Sequence, residues 1–75
     1  MKLALEQGSS YRADLSLGML EGLASNEMIA DKFRLLGFVD VDVTGSGRSR
    51  EATGTWPLAS RSVDMPSQVS SVEEL

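Results

Sequence analysis

A chain of 75 residues with no cysteine and no histidine can form neither a disulfide nor a thiolate metal site. It also lacks the commonest general base and the commonest transition-metal ligand. Its 11 acidic and 7 basic residues leave a net charge of −4, with neither half of the chain basic, so a broad phosphate-backbone footprint is missing and nucleic-acid binding is disfavoured.

Leu3 and Leu5 alternate with Lys2, Ala4 and Glu6, a short period-2 pattern, and Gly8-Ser9-Ser10 supplies turn chemistry. The next run is a clear half-buried strand: Tyr11, Ala13, Leu15 and Leu17 share one face, and Arg12, Asp14 and Ser16 the other. Leu3–Glu6 is expected either to pair with it as a hairpin or to extend it. Gly18–Ala24 places Met19, Leu20 and Leu23 at helical spacing but contains two glycines, which weaken a helix, so it reads as an apolar loop or single turn.

Ser25 has the chemistry of an N-cap, Glu27 sits in the first turn where the helix dipole favours negative charge, and Gly37 stands where a left-handed C-cap belongs. The spacing predicts a helix over 26–36. Ile29, Phe33 and Leu36 form its apolar face, with Met28 and Leu35 beside them. Val39, Val41 and Val43 then alternate with Asp40 and Asp42, Gly45-Ser46-Gly47 makes a glycine connection, and Arg50, Ala52, Gly54 and Trp56 share one face of a second strand ended by Pro57. Two strands around a glycine turn predict a β-hairpin.

Residues 58–75 are serine-rich and interrupted by Pro66. They read as a polar tail, or as an arm that docks on a partner through Val63, Met65, Val69, Val72 and Leu75. The expected fold is α+β: a small two-layer sandwich, β-α-β-β with room for an extra N-terminal strand, over residues 1–57, followed by an extended C-terminal tail.

Candidate sites are few. Gly45, Ser46, Gly47, Arg48 and Arg50 resemble an anion cradle of backbone N–H groups and guanidinium charge, but no Walker-type Lys-Ser/Thr ending follows. A glycine-rich cationic hairpin tip is more often only a solvated turn. Asp40 and Asp42 could share a strand face as oxygen ligands. Two carboxylates fall short of a calcium or magnesium shell, so no metal and no cofactor is expected. Trp56 reads as a core residue anchoring sheet to helix; exposed, it would be a partner hot spot.

Serines are plentiful but have no histidine to activate them, and a chain of this size builds a cleft with difficulty, so no enzymatic activity is expected. The expected function is a non-catalytic interaction or assembly module, a subunit of an oligomer or larger complex, with a virion or prophage-encoded part as one setting. The alternative is a small anion-, nucleic-acid- or glycan-binding domain using the sheet face and the Gly45–Arg50 turn. The first residues are too short for the hydrophobic region of a secretory signal, and no apolar run approaches the ~20 residues of a membrane span. A cytoplasmic or virion-associated location without membrane insertion is therefore expected.

Tyr11-Arg12-Ala13-Asp14-Leu15, Leu35-Leu36-Gly37-Phe38 and Gly54-Thr55-Trp56-Pro57 together resemble the punctuation of a cell-wall-binding SPOR domain over residues 11–57. The resemblance implies a further helix and strand and an exported protein, neither of which is found in the sequence, and no binding residue is carried over from it.

Overall fold

A computed structural model describes residues 1–75. Six strands form two antiparallel sheets with one helix. Strands β1 (Lys2–Leu5), β2 (Ser10–Ser16), β3 (Val39–Ser46), β4 (Ser49–Thr55), β5 (Arg61–Asp64) and β6 (Val69–Glu74) surround helix α1 (Asn26–Leu36), which a 3-10 turn at Glu21–Leu23 precedes. The larger sheet runs β3-β4-β2-β6, and β1 pairs with β5 in a separate ribbon. No helix is long and apolar enough to cross a membrane.

Period-2 patterning in β2 and β4 builds the inner face of the large sheet. Tyr11, Ala13 and Leu15 of β2 lie beside Ala52 of β4, all buried, with Val43 of β3 and Val69 of β6 on the flanks. Helix α1 covers this face with Ile29, Ala30 and Phe33. Its start is fixed by the Ser25 side chain, which accepts from the Met28 N–H, and its end by Gly37 at φ 123°. A methyl group at Gly37 would stand 2.9 Å from Leu58 and 3.1 Å from Trp56. That close approach is a second reason for glycine here. Trp56 is fully buried, its ring edge-on to Phe38 at 5.1 Å, and Phe38 in turn meets Phe33 at 6.2 Å. This aromatic chain ties the end of β4 to the helix.

Two expectations about α1 and β3 change. Met28 and Leu35 are not on the buried side of the helix; they are 61% and 85% exposed, and Ala30 is buried instead. Val39 does not share a buried face with Val41 and Val43. The register slips between Val39 and Asp42, Asp40 takes φ 52°, and Val39 is turned outward. One extra residue in a strand reverses the facing of everything before it.

The larger correction concerns residues 58–75, which are not an extended tail. They form β5 and β6, with Met65 and Val69 buried in the common core and Val63 and Val72 packed against it. Strand β1 pairs with β5, Leu3 opposite Val63, and neither extends β2 nor forms a hairpin with it. Strand β6 lies along β2 as the fourth strand of the large sheet. The accessible surface of 4564 Å² is close to the ~4,500 Å² expected of a folded monomer of this mass. The last eighteen residues supply burial that a 57-residue domain would have lacked.

Candidate functional site

The large sheet turns its second face to solvent, and this face is polar. Arg12 stands opposite Thr53 on one side and Glu73 on the other, while Asp14 stands opposite Glu51 and Ser71. Like charges directly across a ladder repel, and the face answers this locally. Arg12 bonds Glu73, and Ser71 Oγ donates to Asp14 Oδ2 at 2.9 Å. The hydrogen bond and charge of Glu73, with Glu51 and Asp14 adding to them, hold the Arg12 guanidinium more firmly protonated than usual. No aromatic side chain stands on this face: Tyr11, Phe33, Phe38 and Trp56 are all buried. Asp40 sits in the β3 bulge and Asp42 opposite Thr53.

The Gly45–Arg50 turn closes the β3–β4 hairpin with Gly47 and Arg48 between the paired Ser46 and Ser49. Gly47 has φ 65° at the first central position, the geometry that glycine favours in two-residue hairpins. Arg50 does not point into this turn's solvent side. Its side chain is buried against the core face, where Nε donates to the Gly47 carbonyl (3.1 Å), one terminal nitrogen to Asn26 Oδ1 (2.8 Å) and the other to the Gly22 carbonyl (3.0 Å). Arg48 is exposed, and its Nε donates to the Leu17 carbonyl at 3.1 Å. Gly45, Ser46, Gly47, Arg48 and Arg50 are thus brought together, but Arg50 is spent as a clasp between the hairpin, the start of α1 and the 3-10 turn. Among the residues expected to dock a partner, Trp56, Met65 and Val69 are buried, Val63 and Val72 partly so, and Leu75 is exposed.

A groove opens on the other side of that clasp. Leu15, Leu17, Ala24, Met28, Ile29, Phe33 and Pro66 give it an apolar wall enclosing about 380 Å³, and Glu21, Lys32 and Gln68 are its polar members. The volume falls within the ~300–1,000 Å³ range of ligand-sized sites. Glu21 and Ala24 bring the turn from Gly18 to Ala24 to its edge, and Met19, Leu20 and Leu23 of that turn are 79–84% exposed. Met28 continues the apolar rim on the helix side.

This turn is pinned rather than loose. Glu21 accepts from the Gly18 N–H at 2.7 Å and from the Gln68 side-chain amide, and these two bonds hold its carboxyl below the usual glutamate range. Gly22 lies against the hairpin loop, where an added methyl group would meet the Gly47 carbonyl at 3.2 Å. The fold therefore presents three large apolar side chains outward on an anchored support. Sequence reasoning passed over Met19, Leu20, Leu23 and Met28 as site residues. The available signal was three large apolar residues at helical spacing in a stretch that two glycines keep from being a stable helix, together with a methionine on the flank of the helix.

Comparison with models of protein families, with curated proteins and with solved structures finds no match to this chain. The resemblance of residues 11–57 to SPOR domains gains no support from these comparisons.

Proposed function

We propose that the chain is a non-catalytic protein-interaction or assembly module, a subunit of an oligomer or larger complex, and that it meets its partner through the groove beside α1 and the turn 18–24. The observation that carries this reading is the exposure of Met19, Leu20 and Leu23, each at 79% or more, on one anchored turn next to an apolar groove. Single exposed leucines are ordinary. Four large apolar side chains on one rim reach the ~300–600 Å² scale of the largest apolar patches on monomers, which are often functional. Methionine on two sides of the rim suits a contact that must adapt its shape, because its unbranched thioether side chain repacks at low cost.

Binding rather than turnover fits the polar members of the groove. Glu21 is tied to Gly18 and Gln68 and held as a carboxylate, which makes it a weak base. Lys32 is exposed and reaches no carboxylate. Arg50 supports the fold through three neutral acceptors, which leaves the hairpin tip a poorer candidate for holding an anion than its composition suggests.

The test is photo-crosslinking in the cell of origin with benzoylphenylalanine at Leu23 and, separately, at Thr44 on the open sheet face. Adducts from position 23 and none from position 44 are expected. Their absence from position 23 would remove the reading.

A further inference from the structure

We infer that the partner this surface fits is a second copy of the same chain, related by a twofold axis that seats Leu20 and Leu23 of each copy in the groove of the other. This rests on the interaction reading above and names its occupant. A twofold contact must be self-complementary, the same patch meeting itself. Here a protruding apolar turn and an apolar groove lie side by side on one face. Met19, Leu20 and Leu23 stand out at 79–84% exposure, and the groove, to which Glu21 and Ala24 of the same turn contribute, holds about 380 Å³ against Leu15, Leu17 and Phe33. A rotation that exchanges turn and groove fills both at once.

The charges match in the same way. The groove holds one anion and one cation, Glu21 and Lys32, and neither has an ion-pair partner within the chain: its three salt bridges are Arg12–Glu73, Arg34–Glu27 and Arg34–Asp31. An axis passing between them brings Lys32 of one copy to Glu21 of the other, twice per dimer.

The alternative route to a dimer, pairing of sheet edges, is obstructed on the large sheet. Its edge strands β3 and β6 both carry bulges, at Asp40–Val41 and at Ser70, and bulges are a device that keeps edges from pairing.

The apolar rim is smaller than the ~800 Å² per partner of a standard interface. The dimer is therefore expected to be weak and reversible.

Sedimentation equilibrium of the full chain between about 10 μM and 1 mM tests this. The mass is expected to rise from 8.1 kDa toward twice that value. Leu23→Asp should weaken association at least tenfold, Lys32→Glu about threefold, and Thr44→Asp on the opposite face should leave it unchanged. Leu23 and Lys32 are exposed, so an unaltered unfolding midpoint in both variants separates lost association from lost folding. A monomer across the whole range overturns the inference, as does a dimer weakened equally by Leu23→Asp and Thr44→Asp. A crosslink from position 23 to a different protein, with the chain itself monomeric, also overturns it while leaving the interaction surface standing.

Discussion

Replacing Arg50 by lysine keeps the charge and most of the aliphatic stem while removing the planar fork. The guanidinium reaches three acceptors on three separate segments: the hairpin turn at Gly47, the Asn26 side chain at the start of α1, and Gly22 in the 3-10 turn. An ammonium on a single carbon cannot span them, so two bonds are lost and one kept. Hydrogen bonds to a charged group contribute about 1.5–3 kcal/mol each, which sets a ceiling of about 6 kcal/mol for the pair. Gly47 is exposed and Gly22 and Asn26 half-buried, so water reaches the vacated acceptors and roughly 2 kcal/mol remains. In a domain of this size that lowers the melting temperature by about 8–16 °C. Urea unfolding monitored by Trp56 fluorescence gives the same quantity independently. Amide exchange adds a local signature, because the Gly22 N–H, which donates to the Gly18 carbonyl, should lose protection before the strand amides of β2. Arg50→Lys unfolding within 0.5 kcal/mol of the parent would show that the clasp contributes nothing and that the turn is held by other means.

Trp56→Ala empties a fully buried site and should cost ~3–5 kcal/mol, enough to leave the domain largely unfolded at 37 °C by circular dichroism. Gly45→Ala should destabilise more than Gly47→Ala in chemical denaturation. Both glycines have positive φ, but the added methyl at Gly45 would stand 2.6 Å from the Ser49 carbonyl and the one at Gly47 meets nothing within 4 Å. The hydrogen bonds from Gly18 and Gln68 hold the Glu21 carboxyl below its ordinary pKa of 4.5, so its contribution is complete above that value and is lost as pH falls through the lowered one. The Gly18 amide resonance should titrate with a midpoint below 4.5, and Glu21→Gln should abolish the titration.

Much of the central fold was legible because its signals are local. Ser25, Glu27 and Gly37 mark both ends of α1, and the alternation from Tyr11 to Leu17 and from Arg50 to Trp56 identifies β2 and β4 together with their buried faces. What escaped depends on distance or on broken period. Strand β1 has only four residues, and its partner β5 lies some sixty positions away, so no adjacent pattern reveals the pairing. In β6 the extra residue Ser70 separates Val69 and Val72 by three positions instead of two. An inward-facing strand therefore reads as scattered apolar residues in a serine-rich tail. The bulge at Asp40 likewise hides the outward turn of Val39. The groove was illegible for a different reason: its walls come from β2, α1 and the segment before β6, and only folding brings Leu15, Phe33 and Pro66 to one place.

The two irregular border strands of the large sheet also bear on how the protein behaves when crowded. A smooth border would offer each arriving molecule a template on which to add its own strand, and the process could repeat without limit as a growing fibre. With the hydrogen-bonding groups at Asp40 and Ser70 thrown out of line, such growth is interrupted within a few residues. High local concentration is therefore kept from seeding cross-β aggregation along these borders.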